Sequence, residues 1–226
     1  MTDTLQVNQL CYRRGTFPLI KDLTCSLSSG HWLHVKGSNG SGKTTLLRLL
    51  AGLLSADSGR IAWNEQTIQR QRIQYQAQLY YLGHTNGLKG ELTAVENLCW
   101  SAKLQGTPIT PNDARKLLLT FGLHKQADLP SQCLSQGQKR RVALAGLGYT
   151  QAKLWLLDEP FNALDAQATT QLQQQIQHHL EHAGLLVLSS HQDVSLPSAS
   201  QQNLTLGNPP FSNITYAYES LGQTHD

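Results

Sequence analysis

The sequence has little of what marks a membrane-spanning, disulfide-stapled or metal-clustered chain. Its apolar runs, such as Leu185–Leu188, are short, and the mean hydropathy is −0.34. A spanning helix needs ~20 mostly apolar residues, so no segment is expected to cross a bilayer by itself. Cysteine is scarce and scattered: Cys11, Cys25, Cys99 and Cys133 form no Cys-x-x-Cys pair. That argues against zinc or dithiol chemistry and for buried or half-buried free thiols in a reducing compartment. The start, Met1-Thr2-Asp3-Thr4, lacks the basic-then-apolar pattern of a signal peptide, so a cytoplasmic protein is expected. A net charge of +3 is too mild to point to nucleic acid. The nine histidines offer no metal constellation. His31 and His34, an odd number apart on an expected strand, face opposite sides of it. His178, His179 and His182 are expected on the solvated face of a Gln-rich helix.

What remains is a globular composition. With 39% hydrophobic and 15% charged residues over 226 positions, the chain can bury a core in one domain, or in a core carrying a small insert. Strands are expected at Leu5–Cys11, Cys25–Leu27, His31–Lys36, Arg60–Trp63 and Leu79–Leu82, with turns at Ser28-Ser29-Gly30 and Ser58-Gly59. Lys43–Ala51 reads as a helix stopped at Gly52. From about 91 to 148 the pattern turns helical: Leu92–Leu104, Asp113–Phe121 and a third helix from Gln136, with Pro108 and Pro111 punctuating the first gap. Three helices without an intervening strand suggest a small helical subdomain within one domain of 1–226. The core is then about 1–90 and 149–226. Leu154–Leu157 and Leu185–Ser189 are short continuous apolar runs, as expected of buried parallel strands, and a helix, Ala166–His182, lies between them. The tail from Asp193 carries only weak strand signals.

Two motifs carry the chemistry. Gly37-Ser38-Asn39-Gly40-Ser41-Gly42-Lys43-Thr44, continued by Thr45, matches G-x-x-x-x-G-K-[ST] between an expected strand and an expected helix. Glycines let the backbone fold into a concave nest of inward N–H groups, and the helix start adds partial positive charge. Lys43 can reach the β- and γ-phosphates of a nucleotide, and the Thr44 hydroxyl can bind Mg²⁺. Far along the chain, Leu154–Leu157 runs into Asp158-Glu159. A carboxylate at the carboxyl end of a buried strand sits where α/β sheets bind ligands. Asp158 can hold Mg²⁺, while Glu159, on the other side of the strand, can polarise an attacking water.

Between them, Leu134-Ser135-Gln136-Gly137-Gln138, continued by Lys139–Ala145, resembles the L-S-G-G-Q signature and following helix of ABC-type ATPases, with Gln136 in place of the usual glycine. The resemblance spans the chain from Leu5 to His191. It implies an α/β P-loop NTPase of ABC type: a RecA-like parallel-sheet core, an N-terminal antiparallel β subdomain and an inserted helical subdomain. It also implies roles for single residues. Tyr12 resembles the aromatic that stacks on adenine, Ala163-Leu164-Asp165 the D-loop, and His191 the switch histidine that contacts the γ-phosphate. The family usually carries a Gln after the strand Tyr80-Tyr81-Leu82; here Gly83-His84 follows, so His84 is the equivalent. With Leu92–Leu98 and Asp158-Glu159-Pro160-Phe161, that Gly-His pair resembles one bacterial branch, the ATP-binding subunits of cytochrome c maturation.

The resemblance further implies ATP and Mg²⁺ as ligands and an ATP-dependent homodimer. In that dimer, Ser135, Gln136, Gly137 and Gln138 of one copy would complete the other's site. Separate integral membrane permease subunits would be the partners, and the chain would lie peripherally on the cytoplasmic face of the inner membrane. Three readings stay open beside it. An ABC ATPase acting on DNA or ribosomes usually adds coiled coils or a second cassette, which this chain lacks. A GTPase would need N-K-x-D, which is absent, and a small-molecule kinase would leave the signature helix unexplained. The ATPase of another ABC import or export system differs at Gly83-His84.

Overall fold

A computed structural model describes residues 2–191, 194, 196 and 200–207, and everything below concerns those residues. The part of the expected domain beyond 207 lies outside them. Two sheets organise the fold. In the first, β1 (Thr4–Arg14) pairs antiparallel with β2 (Phe17–Ser28) and with β4 (Ser58–Trp63), and β4 carries the short β5 (Gln66–Thr67). The second sheet is parallel, in the order β6 (Leu79–Leu82), β7 (Leu154–Asp158), β8 (Leu185–Ser189), β3 (His31–Lys36) and β9 (Ser200–Thr205). The helices are α1 (Lys43–Leu50), α2 (Arg72–Ala77), α3 (Ala94–Leu104), α4 (Pro111–Thr120), α5 (Gln136–Ala145) and α6 (Ala166–Glu181).

The central strands are apolar throughout because both faces are covered. Every residue of β7 and β8 is buried. Alternation then sorts their side chains between two cores. Trp155, Leu157, Leu186 and Leu188 pack with Tyr80, Leu82 and helices α3 to α6. Leu154, Leu156, Leu185 and Val187 pack with α1 and the antiparallel sheet. Helices α3, α4 and α5 pack on one another in the chain between β6 and β7.

Several boundaries differ from the sequence reading. Strand β2 begins at Phe17, well before the expected Cys25–Leu27, because β1 supplies a long partner whose ladder shifts register beyond Val7. Ser58-Gly59 is not a turn but the start of β4. A Cβ on Gly59 would lie 2.2 Å from the Gln9 carbonyl oxygen, so glycine there admits the kinked β1 backbone, where Gln9 has φ 48°. Pro111 does not separate helices; it opens α4 at the first turn, after the Thr110 cap. Helix α3 starts two residues later than expected, at a Thr93–Glu96 capping box. Helix α2 and the short β5 were not foreseen, and β9 lies in the tail that carried only weak strand signals. Of the thiols, Cys11, Cys25 and Cys99 are half-buried, but Cys133 is exposed. His179 is not solvated: it is buried and stacks on Trp155 at 3.8 Å, while His178 and His182 remain exposed and stack on each other.

Candidate functional site

The site forms where β3, β7 and β8 end side by side at their carboxyl ends. The loop after β3 uses glycine for definite reasons. Gly37 (φ 153°) has no room for a side chain, since a Cβ would lie 2.5 Å from Ser41 Oγ and 2.7 Å from the Leu206 carbonyl. Gly42 caps α1 in a left-handed conformation at φ 105°. Helices α3, α4, α5 and α6 each receive a side-chain cap, from Thr93, Thr110, Ser135 and Asp165. Helix α1 has no such cap and no acidic residue in its first turn. Its N–H groups are therefore left for an anion.

Lys43, 7% exposed, donates from Nζ to the carbonyls of Gly37 (2.7 Å) and Ser38 (3.3 Å) and lies 3.5 Å from Glu159 Oε1. Thr44 Oγ1 donates to Asp158 Oδ2 at 2.7 Å, and Ser189 Oγ donates to Asp158 Oδ1 at 2.6 Å. The other oxygen of Glu159, Oε2, lies 3.1 Å from His191 Nδ1. Thus the adjacent carboxylates diverge, Asp158 toward the Thr44 hydroxyl and Glu159 toward two basic groups. Strand alternation alone does not separate them, as the sequence reading had it. Strand β7 stops at Asp158, and Glu159 turns into the left-handed region at φ 49°. Its N–H donates to the carbonyl and the hydroxyl of Ser189.

A cavity of about 420 Å³ opens over this cluster. Lys43, Thr44, Thr45, Glu159, His191 and His84 border it, together with Ser38, Asn39, Gly40 and Gly42 of the loop. Ser41 is buried beneath the loop. Tyr12 does not border the cavity; it is half-buried against the core beside α1, and Arg14 of the same strand and Leu19 of β2 stand at the rim instead. The signature residues also lie apart from it. Ser135 and Gln138 close the start of α5 as a reciprocal capping box, and a Cβ on Gly137 would come within 2.9 Å of the Ala163 carbonyl. Gln136 opens that helix. Asp165 caps α6 and lies 3.5 Å from Arg141 Nη1.

The family model described as ABC transporter matches residues 20–162. The chain belongs to the ABC transporter family. As an ABC ATP-binding subunit, it binds and hydrolyses ATP. Its relatives include two proteins named cytochrome c biogenesis ATP-binding export protein CcmA. The one from Haemophilus ducreyi is 44% identical over 84% of this chain and 90% of its own length. The one from Albidiferax ferrireducens is 43% identical over 90% of this chain and 97% of its own. Among solved structures, an ATP-binding subunit of an ABC transporter superposes with a TM-score of 0.78 at 25% identity, covering 89% of this chain and 85% of that one. An ABC transporter ATP-binding protein from Pyrococcus furiosus shares the fold, with a TM-score of 0.77 at 24% identity, covering 90% and 97%.

Sequence reasoning missed several residues of this ABC site. Ser189 fixes both Asp158 and the Glu159 amide; as one more polar residue ending an apolar strand, it gave only a weak signal. Asn162 borders the cavity. Arg140 is buried in α5, and its guanidinium reaches the backbone of Asp158 and Glu159. Within the basic triplet Lys139-Arg140-Arg141, no signal in the sequence set it apart.

Proposed function

We propose that this ABC subunit powers a bacterial complex serving c-type cytochrome biogenesis, its ATP hydrolysis driving haem export or release of a haem-loaded chaperone. The shared name of its relatives supports that pathway. The carrying observation for the chemistry is Glu159, 3.5 Å from Lys43 and 3.1 Å from His191 at the mouth of the glycine loop.

Each residue then has a task. The amides of Gly37–Thr45 and the open start of α1 take the phosphates, and Lys43 exchanges its carbonyl partners for phosphate oxygens. Glu159 accepts a proton from the attacking water. His191 holds the γ-phosphate and orients Glu159. Thr44 and Asp158, hard oxygen donors in mutual contact, fit Mg²⁺, which when bound would neutralise charge on the transferring phosphate. The resemblance assigns Tyr12 to adenine, but Tyr12 lies against the core outside the cavity, so the base would have to reach past the rim formed by Arg14 and Leu19; His84 stands where the family places glutamine.

The capped α5 start, with Ser135, Gln136, Gly137 and Gln138, belongs to the site of a second copy in an ATP-dependent homodimer; Asp165 lies on the same front. Membrane permease subunits dock on a groove of about 630 Å³ whose wall includes Tyr81, His84, Trp100 and Leu104. Trp100 and Leu104 are 47% and 71% exposed there. Those partners would hold the chain peripherally at the cytoplasmic face of the inner membrane; among the described residues no helix is long and apolar enough to cross a membrane.

The test is Glu159→Gln. ATP binding and ATP-dependent dimerisation should persist while turnover falls by about 10²–10⁴-fold. In cells lacking the wild-type gene, this variant should not restore covalently haem-stained c-type cytochromes. Turnover near the wild-type rate would refute the base assignment, and c-type cytochromes still made in cells lacking the gene altogether would refute the pathway.

A further inference from the structure

We propose that Arg140 is a positioning residue for hydrolysis, its guanidinium tying the loop that carries His84 to the peptide that carries Glu159. The proposal rests on the reading of Glu159 as the base. Arg140 is only 5% exposed. From Nη2 it donates to the Asp158 carbonyl at 2.7 Å and to the Glu159 carbonyl at 3.0 Å. From Nη1 it donates to the Gly83 carbonyl at 2.9 Å and to Asn86 Oδ1 at 3.2 Å. One planar group therefore grips both segments that border the nucleotide cavity.

Packing α5 does not require this arrangement. A buried cation is costly, and an apolar residue would suit the same helix face, which carries the buried Ala143 and Leu144 three and four residues on. Arg140 Nε is buried without a hydrogen bond, so the side chain is placed for its two forks rather than for full satisfaction of its own donors. What the forks achieve is visible at Glu159. A non-glycine residue at φ 49° is strained and must be held by its surroundings. The Glu159 N–H is fixed by Ser189 and its carbonyl by Arg140. That peptide sets the direction in which the carboxylate leaves the backbone. Because Arg140 lies on α5, which Ser135 caps and whose first turn holds Gly137, a shift of that helix would move the Glu159 peptide and the Gly83 carbonyl together.

Arg140→Lys keeps the charge but lacks the planar fork. In the full chain, kcat should fall at least about tenfold, while KM and the affinity for a fluorescent ATP analogue stay within about threefold. In single-turnover reactions on a Glu159→Gln background, adding Arg140→Lys should cost less than about twofold more, because Arg140 acts through Glu159. Wild-type kcat in Arg140→Lys, or a full second loss in the double variant, overturns the proposal. Should Glu159→Gln alone keep wild-type turnover, the base assignment fails, whatever Arg140→Lys does. Where Arg140→Lys does not fold, Asn86→Ala loosens the guanidinium without emptying its site. It should lower kcat about threefold at unchanged ATP affinity, and an unchanged kcat again overturns the proposal.

Discussion

His179 gives the stability of this fold a defined acid dependence. Its ring stacks on Trp155 at 3.8 Å with an interplanar angle of 8°, and its Nε2–H donates to the Leu185 carbonyl at 3.1 Å. Burial pushes the imidazole from its ordinary 6.5 down to about 4, with Lys153 and His178 pushing the same way and the Leu185 and Lys153 carbonyls resisting. The folded protein therefore keeps this ring neutral over a range where the unfolded chain protonates it. Stability from this group is complete above pH 6.5 and is lost as pH falls toward 4. Fully developed, that shift is worth about 3 kcal/mol, of which about 2 kcal/mol is lost between pH 7.5 and pH 5. The assay is urea unfolding of the wild type and of His179→Gln, followed by tryptophan fluorescence at both values. The variant starts less stable, having lost the stack, but its curve should be flatter by about 2 kcal/mol across that interval. Parallel curves would refute the account, since they would mean that His179 does not titrate differently in the two states.

Ser189→Ala removes the donor to Asp158 Oδ1 and one acceptor of the Glu159 amide; unfolding free energy should fall by about 1–3 kcal/mol, read by denaturant titration, and turnover should fall with it. Gly59→Ala places a methyl group 2.2 Å from the Gln9 carbonyl at a φ of 83°, so a thermal melt should show a loss of at least about 2 kcal/mol. Asn97→Leu leaves the Lys89, Leu92 and Thr93 carbonyls and the Ser131 hydroxyl without their shared donor, and should destabilise by about 2–4 kcal/mol, with faster hydrogen exchange at 89–93.

The parts of the site legible in the sequence are those whose chemistry is written in consecutive residues. The glycine loop could be read because Gly37 and Gly42 take positions that no other residue fills easily, and the strand before it and helix after it are local. Leu154–Asp158 could be read because a strand buried on both faces leaves no alternation, only a run ending in a charge. The first half of β2 could not, since Phe17–Thr24 is held by pairing to a strand whose register shifts. Nor could the burial of His179, which depends on α6 lying over Trp155. Arg140 lay within a basic triplet that suits a solvated helix face, and only the tertiary fold distinguishes it from Lys139.

The end of β7 does two things that conflict locally. Asp158 completes a ladder with Ser189, and its side chain, on the face shared by Leu154 and Leu156, meets Thr44 on α1. Were Glu159 to continue that strand, its carboxylate would follow Trp155 and Leu157 toward the opposite core, away from the glycine loop. The left-handed turn at Glu159 breaks this alternation and brings the second carboxylate back over Lys43. The strain of that turn, of order 1–3 kcal/mol, needs support from outside the strand. Ser189 supplies it from β8 and Arg140 from α5. The two carboxylates can therefore hold different jobs on neighbouring residues only while β8 and α5 stay docked against β7. This makes the geometry of the base a property of the packing between the parallel sheet and α5, rather than of the Asp158-Glu159 pair itself.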